Sequence, residues 1–160
     1  MSNPLSRQKG IFKLIIIPKE EAIFRLDKHG QWHNKDGKFQ HRKIINHFHS
    51  SIRRDEGGYH VFQEYAGTRE KVYFSYEDTA LFVFDVKKGK DIILILNTKK
   101  HIKLKPKNLF IKDDNLYMQD RADRIKFIDR ALIRIADLID EVDGQCFIKV
   151  NGRRYRIEEC

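Results

Sequence analysis

Six of the seven histidines, His29, His33, His41, His47, His49 and His60, fall between residues 29 and 60. Imidazoles crowded in this way could ligate a metal or relay protons, since their nitrogens titrate near neutrality. Their spacing argues against a metal. On a helix, His47 and His49 would project roughly 200° apart and could not close on one ion, and no His-Glu-x-x-His or paired-cysteine pattern accompanies them. Scattered surface histidines are the expectation, with no metal and no cofactor.

Other chemistries leave equally thin traces. The chain lacks a Gly-x-Ser-x-Gly nucleophile elbow, a Gly-x-x-x-x-Gly-Lys phosphate loop and a Gly-x-Gly-x-x-Gly dinucleotide turn. Adjacent carboxylates, Asp55 with Glu56 and Glu77 with Asp78, could serve acid/base work, but such pairs more often solvate a turn. Arginine offers more. The guanidinium fork suits carboxylate and phosphate oxygens, which makes Arg42, Arg53, Arg54, Arg121 and Arg130 candidate contacts for an anion. Trp32 and Tyr59 are candidates for an apolar wall beside them. A second candidate is the stretch TKKHIKLKPK at 98–107. If it is extended, Lys103, Lys105 and Lys107 share one face, and with Lys99 and Lys100 they could track phosphates, with Tyr73, Phe74 and Tyr76 stacking bases. The plainer reading of these lysines is a sheet edge protected against aggregation.

These residues need elements to position them. Ile44, Ile45, Phe48 and Ile52 recur at helical spacing and predict a helix over 42–54, with Arg53 and Arg54 in its last turn, where cations meet the negative end of the dipole. Gly57 or Gly58 would then end it. Ile125, Ile128, Leu132, Ile135, Ile139 and Val142 alternate at spacings of three and four, which predicts a longer core helix with Asp120 and Asp123 near its start. Strands are expected over 59–63, 72–76, 81–86, 92–96, 109–112, 116–119, 147–150 and 153–157, because these runs are rich in aromatic and β-branched residues and bounded by turn signals. KKGKD, KDDN and VNGR are the plainest hairpin turns. The resulting expectation is an α+β fold of two lobes, 1–90 and 91–160, each a small, mostly antiparallel sheet packed on one helix. The order strand, strand, helix, strand, strand would be used twice.

The chain has 160 residues, enough for one ordinary domain or two small ones, and the 32 Lys and Arg against 23 Asp and Glu give a net charge of +9. That excess permits attraction to nucleic acid, to acidic proteins or to anionic metabolites. Only Cys146 and Cys160 are present, so there is no disulfide framework. The apolar run at 11–17 carries Lys13, stops at Pro18 and is far too short for a bilayer span. No small-residue cleavage site follows it. The expectation is a cytoplasmic protein without a membrane partner.

One set of residues carries a family resemblance. Asp27, Gly30, Trp32, Gly37, Arg42, Phe48, the run from Ile52 to Glu56, Gly58, Tyr59, Glu70 with Lys71, and Glu77 with Asp78 resemble the bacterial family catalogued as domain of unknown function 1285. Tyr117, Arg121 and Arg130 are similar to a tyrosine and two arginines of that family's last helix. The match spans about 24–157 and is most specific over 24–78. This sequence departs from the pattern at Gly57, at Gly67, Thr68 and Arg69, and at Asn97 with Thr98. The resemblance implies a two-lobed α+β fold built from a repeated motif and a role in binding a ligand or in signalling, with no established activity. Two functions are therefore expected in competition. One is a non-enzymatic binding or regulatory module for a small anionic ligand or an acidic protein partner. The other is nucleic-acid binding through the 98–107 lysines.

Overall fold

The computed structural model describes residues 13–160. Its contacts divide the chain into two units, Met1–Asp78 and Thr79–Cys160.

In the first unit, β1 (Lys13–Ile17), β5 (Ile52–Asp55), β6 (Gly58–Tyr65) and β7 (Thr68–Tyr73) form a sheet in the order β1-β7-β6-β5. A smaller sheet has the order β4-β3-β2-β8 and contains β2 (Phe24–Leu26), β3 (Trp32–Asn34), β4 (Gly37–Lys38) and β8 (Ser75–Tyr76). Helix α1 (Arg42–Ser50) is the unit's single α-helix among the described residues. The core is aromatic. Trp32 is 1% exposed and meets Phe24, Phe48 and Phe74 at ring-centroid distances of 5.7, 5.4 and 5.0 Å. Steep interplanar angles between such rings bring positive edges to negative faces, which adds to the area they bury. Because side chains alternate along a strand, Leu26 and Trp32, directly opposite each other, both turn into this cluster, and Arg25 and His33 between them turn the other way.

The second unit is built on a seven-stranded sheet. It contains β9 (Leu81–Lys88), β10 (Ile92–Leu96), β11 (His101–Lys103), β12 (Leu109–Lys112), β13 (Asn115–Asp120), β14 (Asp123–Phe127) and β18 (Glu158–Glu159), in the order β11-β10-β9-β14-β13-β12-β18. Antiparallel hairpins make up each half, and β18 adds a parallel edge strand beside β12. The halves join where β14 lies parallel to β9, with Leu81, Phe82 and Val83 opposite Ile125, Lys126 and Phe127. Asn97 bridges beside this seam: its side chain accepts from the Phe82 amide and donates to the Ala80 carbonyl. The unit also holds α2 (Asp129–Ile135) and a three-stranded sheet of β15 (Ile139–Val142), β16 (Gln145–Val150) and β17 (Arg153–Arg156). A single apolar core, including Val83, Leu94, Met118, Ile125, Phe127, Ile135 and Ile148, links these elements.

The α+β expectation of two lobes each packed on a helix is overturned. Strand accounts for 54% of the described residues and helix for 17%, arranged in four sheets with two short α-helices. The helix expected over 42–54 ends at Ser50, and Ile52 instead pairs with Val61 across β5 and β6. Arg53 and Arg54 therefore stand on a strand rather than in a helical turn. The long core helix dissolves further. Ile125 belongs to β14, Ile139 and Val142 belong to β15, and only seven residues between them are α-helical. The three-and-four spacing misleads because β14 is an interior strand covered on both faces. Ile125, Lys126 and Phe127 are all buried, and a strand buried on both sides shows no alternation to set against a helical period. Asp120 and Asp123 flank a hairpin turn in which Arg121 has φ of 57°, and Asp129 is the acid in the first turn of α2.

Candidate functional site

The first unit carries an open cleft of about 800 Å³, within the range of sites for small molecules. It is lined by residues 19–25, by His33, Asn34, Lys35 and Asp36, and by Ser75. The small sheet makes the cleft. Arg25 lies opposite His33 on β3 and opposite Ser75 on β8, so the three project from one face. Phe24, Ala22 and Ile23 supply apolar wall, and Ile23 is 81% exposed. Lys19, Arg25 and Lys35 set three cations against the carboxylates of Glu20 and Asp36. Arg25 keeps a loose contact of 3.5 Å to Glu77, with both side chains about half exposed, and an exposed pair of that kind is readily exchanged for another anion.

The imidazole of His33 is held in place from behind. Asp27 is buried at the start of the turn whose Gly30 has φ of 78°. One carboxylate oxygen accepts the amides of His29 and Gln31 at 2.8 and 2.9 Å, and the other meets His33 Nε2 at 2.7 Å. Burial pushes the Asp27 carboxyl up, but the His33 hydrogen bond and the two backbone donors outweigh it and leave the group below its ordinary range. An ionised Asp27 fixes the proton of His33 on Nε2 and leaves Nδ1 with no protein partner among the described residues.

A second polar cluster is closed on itself. The Asp55 carboxylate accepts from Lys71 Nζ at 2.8 Å, from the Tyr73 hydroxyl at 3.0 Å and from the Gly57 amide at 2.9 Å. His60 Nδ1 lies 3.8 Å away. The Lys71 bond is the main reason that the Asp55 carboxyl falls to about 2. A Cβ at Gly57 would sit 2.8 Å from the Tyr73 hydroxyl, which accounts for the glycine at this position. With its acceptor already occupied by three donors, this cluster serves as structure.

The residues singled out in the sequence are dispersed. Trp32 is enclosed in the aromatic core, and its indole N–H donates to His49 Nδ1 at 3.2 Å. Arg42 is exposed at the start of α1, and Arg53 lies over the Phe62 ring at 4.2 Å. Arg54 and Tyr59 are cross-strand partners, and Tyr59 meets Tyr76 edge to face at 5.6 Å. Arg121 and Arg130 belong to the second unit, where Arg130 and Arg134 both reach Asp85, at 3.6 and 3.4 Å. None of the seven lines the 800 Å³ cleft, but Tyr59 helps line a smaller one of about 310 Å³ with Gly57, Gly58, Tyr73 and Tyr76. The lysines at 98–107 are spread over three local structures. Lys99 is in a turn with φ of 77°, Lys103 ends the edge strand β11, and Lys107 lies in the short 3₁₀ helix Pro106–Asn108. Lys103 meets Asp91 at 3.3 Å and Lys105 meets Asp120 at 2.7 Å. Sequence reasoning missed Lys19, Arg25, His33 as an oriented side chain, and Lys35. The one available signal was the 27–33 turn, where an Asp and a Gly precede a short strand.

Among the described residues, no group of three or more His, Cys, Asp or Glu side chains could hold a metal ion, and no helix is long and apolar enough to cross a membrane. The molecule is thus a β-dominated protein of two units with a ligand-sized cleft in the first. Its fold is that of the DUF1285 family proteins. It matches the crystal structure of a DUF1285 family protein from Silicibacter pomeroyi DSS-3 with a TM-score of 0.61 at 14% identity, over 93% of this chain and 85% of that one. A DUF1285 family protein from Shewanella baltica OS155 matches with a TM-score of 0.53 at 15% identity, over 74% of this chain and 94% of that one. No family model and no curated protein matches the sequence.

Proposed function

We propose that the protein is a non-enzymatic binding or regulatory module that takes a small anionic ligand in the cleft of the first unit. The observation that carries this reading is the cleft itself, in which Lys19, Arg25 and Lys35 surround an apolar wall beside an imidazole oriented by Asp27. A carboxylate or phosphate at Arg25 would replace the loose Glu77 contact by a bidentate one, and His33 Nδ1 would donate to the same anion when protonated. Phe24 and Ile23 suit an apolar portion of the ligand. Cys146 and Cys160 are both free, which fits a reducing compartment and supports the cytoplasm as its site.

Native mass spectrometry of gently purified protein at low salt tests this. The expected result is an added mass of a few hundred daltons, removed by Arg25→Gln. Titration of the identified compound should show Arg25→Gln weakening affinity by about tenfold or more, the ordinary worth of a charge-assisted hydrogen bond (roughly 1.5–3 kcal/mol). A clean apo mass, together with no thermal shift from millimolar carboxylates and phosphates, would overturn the reading.

A further inference from the structure

The three-stranded sheet of the second unit has two unlike faces. Ile148 is fully buried, and Ile139, Cys146, Val150 and Tyr155 pack against the core with it. Alternation sends Phe147, Lys149, Arg154 and Arg156 to the opposite face. There Phe147 is paired across the strands with Arg156, and Lys149 with Arg154. The three cations are exposed, and the Arg154 guanidinium lies over the Phe147 ring at 4.5 Å. Like charges placed directly opposite each other on a sheet are destabilising, and no carboxylate among the described residues relieves Lys149, Arg154 or Arg156 with an ion pair. Asp140, the cross-strand neighbour of Phe147, is the acid on this face. Three of the chain's cations thus share this face with one acid and no ion pair, in contrast to Lys103 and Lys105, which have their acids.

We propose that this face of the β15–β17 sheet binds single-stranded nucleic acid. The chemistry of the face selects that occupant. Arginine forks match phosphate oxygens, and an aromatic ring with a guanidinium layered on it offers flat surfaces on which bases stack regardless of sequence. An open sheet face also leaves bases free to splay. An acidic protein would use the cations but would have no need of the stacked Phe147–Arg154 pair.

The test is fluorescence anisotropy of the full chain with a labelled oligouridylate or oligothymidylate of about twelve nucleotides. Three phosphate contacts predict a log–log salt slope of about −2, so affinity should fall roughly twentyfold between about 50 and about 200 mM salt. Combined Lys149→Gln, Arg154→Gln and Arg156→Gln should weaken binding at least tenfold and flatten the slope. Phe147→Leu should weaken binding and leave the slope unchanged. Removing the opposed Lys149 and Arg154 charges relieves repulsion, so the triple variant should melt no lower than the parent. If it does not fold, Arg156→Gln alone should still reduce the slope by a measurable fraction. A matched control, Lys99→Gln, Lys100→Gln and Lys107→Gln, should keep affinity within about twofold. Absence of binding at the lower salt, or equal losses in the control and the triple variant, would overturn the proposal. So would displacement of the oligonucleotide by an oligoglutamate of equal charge as readily as by unlabelled oligonucleotide, which would mark the face as a docking surface for acidic protein.

Discussion

Asp55 accepts hydrogen bonds from a lysine, a tyrosine and a backbone amide, and the consequence is a pH dependence with a definite sign. Its folded-state value of about 2 lies below the ordinary 3.8, chiefly through the Lys71 bond. A depressed carboxylate contributes stability that is fully present above its unfolded value and is lost as pH falls through the folded one. Melting temperature should therefore decline from about pH 4 towards about pH 2, and Asp55→Asn should flatten that decline while lowering stability at neutral pH, as read by circular dichroism melts across the range. An unchanged acid limb in the variant would show that other carboxylates set it. At this scale the sequence was partly legible. Asp27 and Trp32 stood out and are a buried hydrogen-bonding acid and a core indole, while Tyr59 faces the smaller cleft. Arg25 escaped notice, and His33 was counted only among scattered histidines, because a cleft is assembled from segments at 19–25, 33–36 and 75, and separation along the chain hides what strand register brings together.

Turn chemistry governs the elements. The β12–β13 hairpin closes through Asp113 and Asp114, with φ of 50° and 64°, and β16–β17 closes through Asn151 and Gly152 with the same two signs. Two-residue turns of this hand need positive φ at both positions, which is why Asn-Gly and Asp-Gly lead among them. Asp tolerates this region at a cost that Gly does not bear. Asp114→Gly is therefore expected to stabilise the protein by about 0.5–1 kcal/mol after the extra freedom of the unfolded glycine is offset, measured by chemical denaturation. A loss of stability would show that the Asp114 side chain contributes more than its backbone strain costs. Seven of the eight strands expected from the sequence correspond to β6, β9, β10, β12, β13, β16 and β17, six of which meet at the three hairpin turns read from composition, and the one expected over 72–76 is split between the end of β7 and β8. The short strands β2, β3, β4 and β8 span two or three residues each, too few for a period to be read. In β14 and β15, the apolar spacing fitted a helix that double-sided burial and cross-strand pairing replaced.

At the scale of the whole molecule, the sequence pointed to a balance of helix and sheet, and that balance is where it misled. Propensity and pattern report on a residue's neighbours in the chain. The pairing of β9 with β14 is decided by residues more than forty positions away, and nothing local announces it.

That parallel seam in the second unit also has a kinetic meaning. The hairpins on either side of it close short loops, whereas joining Leu81–Val83 to Ile125–Phe127 must gather the intervening chain before any contact repays the lost entropy. The seam is the expected rate-limiting event in refolding of this unit. Val83→Ala should then slow refolding in a stopped-flow denaturant jump, while Asp114→Gly acts mainly on unfolding. The reverse partition would place the barrier in the β12–β13 hairpin. If the seam does set the pace, the two hairpin halves wait as exposed strand edges until they meet, and the time they spend waiting is the interval in which this chain is open to pairing with another copy of itself.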